Sequence, residues 1–170
     1  MVIPEQILEA KEARARRQKE MIATYHLPLI SISINIPGRE KSSHDARVIF
    51  EAALHEIKQQ KFHIMTEINL NTPSGFEAIF CVHANAHELK NAMISIEETH
   101  LLGRFMDLDV MDEQGMILSR AAQLSAKRTC YLCDRPAIVC AREQTHSLAA
   151  LLRHIHEKVE HFEHNRKTRL

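Results

Sequence analysis

Leu29-Ile30-Ser31-Ile32-Ser33-Ile34-Asn35-Ile36, followed by Pro37-Gly38, decides how this chain folds. Ile30, Ile32, Ile34 and Ile36 alternate with Ser31, Ser33 and Asn35. Successive side chains of a strand point to opposite faces. The period of two therefore predicts a β-strand over 29–36 with one face on an apolar core and the other polar. Pro37-Gly38 ends it, and Arg39 and Lys41 follow in a loop.

Upstream, residues 4–25 read as a helix with Pro4 at its first position, where a missing N–H costs nothing. Ile7, Ala10, Met21, Ile22 and Tyr25 share one side of it, but so do Arg14 and Gln18. The two polar residues either snorkel at the edge of the stripe or aim into a polar site. Downstream, 44–60 reads as a helix, and 63–71 alternates again through Ile64, Ile68 and Leu70. Thr72-Pro73-Ser74-Gly75 predicts a turn, and Phe76 to Val82 its hairpin partner. Asn85 with Glu88 three residues on is a helix start signal, opening a helix to about Thr99. Gly103 breaks the pattern. Phe105 to Met111 is expected as a strand, Asp112 to Gly115 as a turn and Met116 to Leu118 as a short return strand. A final amphipathic helix is expected from Thr145 to about Phe162, with a frayed polar tail from His164. Hairpins mixed with helices give an α+β domain. One domain is expected over 1–170, within which 128–165 could form a small Cys/His-containing subdomain.

Composition narrows the function. The 170 residues carry 22 Lys+Arg against 22 Asp+Glu, a formal net charge of zero, which argues against a nucleic-acid coat. No run of about 18 apolar residues is present, so no membrane partner is expected. The first residues do not read as a signal peptide, and the four cysteines are expected as reduced thiols or metal ligands in the cytoplasm. With only 4 glycines there is little room for a glycine-rich phosphate loop.

Two constellations carry chemistry. In Arg104-Phe105-Met106-Asp107-Leu108-Asp109-Val110, a strand places Asp107 and Asp109 on one face and Met106, Leu108 and Val110 on the other. Two neighbouring carboxylates repel unless a cation sits between them. Mg²⁺ with phosphate oxygens is the natural partner, and a solvated strand face is the plain alternative. Glu77 is the candidate for a third carboxylate, with Glu97 behind it; both could equally be surface charges. The second constellation is Cys130-x-x-Cys133-x6-Cys140-x5-His146, a ligand set permitted for tetrahedral Zn²⁺. A redox pair or small-core thiols would use the same residues. Arg128, Arg135 and Arg142 surround it and face either a phosphate or solvent. His146, His154, His156, His161 and His164 are expected mostly on a solvated helix face.

In order and spacing, these pieces resemble one family. The matching stretches are Arg14-x3-Gln18, Asn35-Ile36-Pro37-Gly38 with Lys41, His100-Leu101-Leu102-Gly103-Arg104-Phe105-Met106-Asp107-Leu108-Asp109-Val110, and Arg128-x-Cys130-x-x-Cys133-x3-Ala137-x-x-Cys140-x-Arg142-x3-His146. The chain resembles the apo-citrate lyase phosphoribosyl-dephospho-CoA transferases over about residues 5–155. The resemblance implies transfer of the phosphoribosyl-dephospho-CoA group from triphosphoribosyl-dephospho-CoA to a serine of the citrate lyase acyl-carrier subunit, with release of pyrophosphate. It implies a nucleotidyltransferase-like mixed sheet with hairpins flanked by helices. It casts Asp107, Asp109 and Arg104 as catalytic, with Mg²⁺ on the two aspartates, and Arg14, Gln18, Asn35, Lys41 and Arg142 as substrate-binding. The chain departs from the family at His100-Leu101, where His-Pro is expected, and it lacks the Gly-Ser signature of many other nucleotidyltransferases. The rival expectations are a zinc-stabilised protein-binding module and a non-catalytic citrate lyase accessory protein.

Overall fold

The computed structural model describes residues 3–120 and 128–168. It runs α1 (Pro4–Tyr25), β1 (Leu29–Ile34), α2 (His44–Gln59), β2 (His63–Thr72), β3 (Gly75–His83), α3 (Ala86–Thr99), a 3-10 turn at Gly103–Phe105, β4 (Met106–Met111), α4 (Ala137–Glu143) and α5 (Leu148–Lys167). The α+β class expected from the hairpin-and-helix pattern holds.

The four strands lie in the order β2-β3-β1-β4, and all three neighbouring pairs are antiparallel. The sheet is thus antiparallel throughout rather than mixed. Each helical crossover joins strands that run the same way but skips a position. β1-α2-β2 leaves room for β3, and β3-α3-β4 leaves room for β1. The six elements from β1 to β4 form two interlocked split β-α-β units. Parallel strands are consequently never adjacent.

Local chemistry sets the boundaries. Ser43, Asn85 and Ser147 cap α2, α3 and α5, accepting from the backbone N–H of Ala46, of His87 and Glu88, and of Ala150. The β2–β3 turn is two residues long, closed by the Thr72–Gly75 pair, and Gly75 takes a φ of 111° that side chains rarely adopt.

The Ile30, Ile32, Ile34 face packs with Ala78, Phe80, Val82, Met106, Leu108 and Val110 against α2, α3 and the inner side of α5. That is the core the isoleucine alternation predicts. α1 covers part of the opposite face, where Met21 and Ile22 meet Leu29, Ile79 and Cys81. Ser31, Ser33, Glu77, Asp107 and Asp109 lie in register on this second face.

Three expectations are corrected at the margins. Strand β1 stops at Ile34; Asn35 continues only through its N–H, which donates to Phe105 O at 2.8 Å. The Met116–Leu118 return strand reduces to a single bridge between Met111 and Ile117, because Leu118 is the only one of the three buried. The last helix begins at Leu148 and runs on to Lys167, since Ser147 rather than Thr145 provides the cap. The seven-residue α4 that precedes it was not anticipated. Among the described residues no helix is long and apolar enough to cross a membrane.

Candidate functional site

The site is built on the second face of the sheet, at the end where β1 gives way to Asn35. β1 pairs Ser33 with Asp107 on one side and with Glu77 on the other, and pairs Ser31 with Asp109. The Ser33 hydroxyl donates to Asp107 Oδ2 at 3.4 Å. Helix α1 lies over the adjoining part of the face. Its Gln18 amide donates to Ser31 Oγ at 2.8 Å, and its Arg14 Nη1 to Glu77 Oε1 at 3.3 Å. The two polar breaks in the apolar stripe of α1 therefore aim into a polar site.

Asp107 and Asp109 project together, as the strand period requires. Burial, and then the charge of Asp107, push the Asp109 carboxyl above its ordinary value. Arg128 Nη1 donates to Asp107 Oδ1 at 3.0 Å, and a second arm of the same guanidinium reaches Glu97 Oε1. The charges of Lys90 and Arg128 pull the other way without cancelling the upward push on Asp109, so the pair is only partly compensated by protein charge. Oxygen donors on adjacent positions of one face suit a hard divalent cation.

Glu97 does not join that face. It is 2% exposed and accepts from the backbone N–H of Leu108 at 2.8 Å. Lys90 Nζ donates to Leu108 O at 3.3 Å. β4 is an edge strand, and two α3 side chains satisfy the outward groups of Leu108 that an edge leaves open. Arg120 also pairs with Glu97. Glu77 is 1% exposed and engaged by Arg14 and the Ser74 hydroxyl. Ser33 separates it from Asp107 by two strand spacings, or about 10 Å.

The remaining predicted residues scatter around this end of the sheet. Arg104 donates to Thr129 O rather than to a carboxylate. Lys41 Nζ donates to Ile36 O, and burial followed by the charge of Lys11 lowers its pKa. Asn35 is exposed, and its backbone carbonyl accepts from Tyr131 Oη at 3.1 Å. Arg142 is exposed on α4. Tyr131 packs edge-on against Phe105 at 5.1 Å between centroids, and burial pushes its phenol up to about 12.

Cys130, Cys133, Cys140 and His146 come together as their spacing predicts. One ligand atom from each lies within 4.8 Å of all the others, the only such group of three or more among the described residues. Such a Cys3His set could hold a metal ion such as zinc. Beside it, a cavity of about 760 Å³ opens between this segment and the end of the sheet, lined by Asn35, Tyr131, Ile138, Cys140, Leu148 and Leu151. Tyr131 is the residue that sequence reasoning missed. Arg128 was named beside the cysteines and in the family-matching stretch, but not as the partner of Asp107.

Comparison with known proteins gives a consistent answer. A family profile described as apo-citrate lyase phosphoribosyl-dephospho-CoA transferase matches residues 3–162. A Vibrio cholerae serotype O1 (strain M66-2) protein named probable apo-citrate lyase phosphoribosyl-dephospho-CoA transferase is 39% identical over 159 residues, covering 90% of this chain and 89% of its own. Proteins of Escherichia coli O139:H28 and Shigella boydii serotype 18, both named apo-citrate lyase phosphoribosyl-dephospho-CoA transferase, are each 36% identical over 154 residues, covering 88% of this chain and 84% of theirs.

Proposed function

The chain belongs to the apo-citrate lyase phosphoribosyl-dephospho-CoA transferase family, and we propose that its Asp107–Asp109 face is where the transfer takes place. It is a transferase that attaches the phosphoribosyl-dephospho-CoA prosthetic group to the acyl carrier of apo-citrate lyase. The observation that carries the assignment of the site is the pair of like-charged carboxylates, held side by side on one strand and only partly compensated by Arg128 and Lys90.

The donor is triphosphoribosyl-dephospho-CoA. A serine Oγ of the carrier forms a bond to the α-phosphorus, and the bond from that phosphorus to the bridging oxygen breaks. Pyrophosphate leaves with the electron pair, and the serine proton passes to a base. Asp107, in contact with the hydroxyl of Ser33 and partly exposed, is placed to accept it. A Mg²⁺ ion bound by Asp107 and Asp109 would offset the charge of the triphosphate and orient it. Glu77 is left out of that ligand set, because its backbone lies two strand spacings, about 10 Å, from that of Asp107 and one of its oxygens is already held by Arg14.

Arg14, Gln18 and Lys41 line the approach from the α1 side, where cationic side chains suit phosphate oxygens. Arg104 and Asn35 border the opposite side, next to the cavity. That cavity falls in the size range of small-molecule sites, and its partly apolar lining suits the nucleoside or pantetheine portion of the donor. Arg142, exposed on α4, would meet a bulky donor or the carrier. Of the Arg14-Arg16-Arg17 run, Arg14 turns inward to Glu77 and Arg17 is half-buried, so the exposed Arg16 would be the residue that meets an acidic carrier. Zinc is the metal that best fits the Cys3His cluster, and the reduced thiols suit a cytoplasmic location.

The test is the intact mass of the apo carrier after incubation with this protein, triphosphoribosyl-dephospho-CoA and Mg²⁺. The expected result is a mass gain equal to the prosthetic group on a serine of the carrier. No gain, with donor and carrier shown to be competent, would contradict the reading.

A further inference from the structure

We propose that Cys130, Cys133, Cys140 and His146 bind one tetrahedral zinc ion whose role is to hold Arg128 on Asp107, which makes Arg128 a positioning residue for the carboxylate pair. The inference about Arg128 rests on the transferase reading above; the inference about zinc does not.

The ligand geometry comes first. Cys133 Sγ lies 3.5 Å from Cys140 Sγ and 3.3 Å from His146 Nε2. Zinc–sulfur bonds of about 2.3 Å and a zinc–nitrogen bond of about 2.0 Å give tetrahedron edges of about 3.8 Å between sulfurs and about 3.5 Å between sulfur and nitrogen. These two separations are close to those edges, and the remaining ones all fall within 4.8 Å. All four cysteines are free thiols, so no covalent link accounts for the approach.

The second observation is what else holds the segment. Between Arg128 and Ser147 only Cys140 is buried. Apart from the short helix α4, the segment's own ties are local: Cys130 N to Arg135 O at 2.8 Å, Ala137 N to Arg128 O at 3.0 Å, Thr145 N to Cys140 O at 3.1 Å, the bridge between Thr129 and Pro136, and an exposed Arg135–Glu143 pair. A twenty-residue stretch anchored by one buried side chain, Cys140, and a part-buried Tyr131 has too little apolar area to offset the entropy of ordering it. A metal held by four of its side chains supplies that stability.

The third observation joins the metal to the sheet. Residues 128–131 connect the first ligand to the carboxylates. Arg128 bonds Asp107 and Glu97, Thr129 O accepts from Arg104, and Tyr131 bonds Asn35 O and packs on Phe105. Cys130 lies in the middle of this docked run. Fixing Cys130 therefore fixes the direction from which the Arg128 guanidinium reaches Asp107. Partners one shell beyond a reactive group typically act on this scale, and their loss costs roughly tenfold to a hundredfold.

The experiment uses the full chain, expressed without a histidine tag. Zinc is counted by elemental analysis, and the metal is then removed with a chelator and restored. Hydrogen exchange over residues 128–131 is followed throughout, with β1 and β3 as internal controls for folding. One zinc per chain is expected, and its removal should speed exchange at 128–131 while leaving β1 and β3 protected. Cobalt substitution should give thiolate-to-metal absorption that Cys133→Ser abolishes.

Turnover then separates the two parts. Zinc removal and Arg128→Ala should each lower it roughly tenfold to a hundredfold, and their combination should lower it no further, because both act through one contact. Arg128→Lys should recover part of the loss, with zinc retained in both Arg128 variants. Substoichiometric zinc in freshly purified protein would overturn the site. Unchanged exchange at 128–131 on metal removal, or losses that multiply, would overturn the positioning role. If the wild type bound zinc but modified no carrier, the transferase reading would fail while zinc count and exchange still decided the metal site.

Discussion

Arg128 and Asp107 lie 21 residues apart in the chain and meet through a 3.0 Å contact between Nη1 and Oδ1. That contact ties the cysteine-bearing segment to the carboxylate face of the sheet. A second arm of the same arginine reaches Glu97, which also caps the open edge of β4. Edge strand, carboxylate pair and metal-ligand segment therefore share one network.

Glu97 is the structural centre of that network. Its removal leaves the N–H of Leu108 without an acceptor and takes a partner from both Arg120 and Arg128. Glu97→Ala should cost about 3 kcal/mol, as expected for breaking a buried ion pair. Glu97→Gln, which keeps an acceptor for Leu108, should cost less. Urea unfolding of both variants checks this, and equal costs would contradict it.

Asp109 gives a pH signature. Its folded-state carboxyl sits above its ordinary value through burial and then the Asp107 charge. The folded protein therefore holds this proton to higher pH than the unfolded chain does. The contribution of this group to stability is lost as pH rises through the folded value. Asp109→Asn should raise the unfolding temperature relative to wild type at neutral pH, and the difference should shrink as pH falls into the ordinary carboxylate range. The same variant should lose transfer activity, a trade of function for stability. Thermal scans between pH 4 and 8, run without added divalent cations, give the answer. A difference that grows on acidification would refute the sign.

Gly103 is fixed by close approach rather than by φ. A Cβ there would fall on the carbonyl oxygens of Ile96 and Glu97, 2.6 Å from the latter. These backbone atoms end α3 and cannot swing aside. Gly103→Ala should cost about 1–3 kcal/mol, the usual range for overpacking, and should shift the turn that carries Arg104. Chemical denaturation together with turnover would detect both effects.

Arg14 has a structural duty and a proposed substrate duty, and a double variant separates them. Arg14→Ala leaves Glu77 buried without its cation and should destabilise by about 3 kcal/mol. Adding Glu77→Gln should restore most of that stability. If Arg14 also binds donor phosphates, the double variant should still show a raised KM for the donor. A KM at the wild-type value would assign Arg14 to Glu77 alone.

Much of this was legible in the sequence, for identifiable reasons. The isoleucine–serine alternation of 29–34 marked a strand with two unlike faces, and the polar face proved to hold the carboxylates. Asn85 marked the start of α3 because its side chain has one recognisable job there. Arg14 and Gln18 stood out because polar residues on an apolar helix stripe need polar partners, and Glu77 and Ser31 provide them. Helix α4 was hidden because it is seven residues long and its one buried residue is a cysteine. The role of Glu97 was hidden because capping a strand edge leaves no local pattern. The partner of Arg128 was hidden for the same kind of reason: nothing within twenty residues indicates which carboxylate this arginine reaches.

The central claim is that the Asp107–Asp109 pair carries the transfer. The most direct measurement is single-turnover modification of the apo carrier, followed by intact mass, for wild type and Asp107→Asn side by side. Both proteins would be matched for zinc content and unfolding midpoint, with Mg²⁺ present or chelated. Loss of the metal clamp and of transition-state charge stabilisation predicts a rate lower by roughly a hundredfold or more for Asp107→Asn, and a similar fall for wild type without Mg²⁺. A folded Asp107→Asn protein that modified the carrier at the wild-type rate would contradict the account and place the chemistry elsewhere on the molecule.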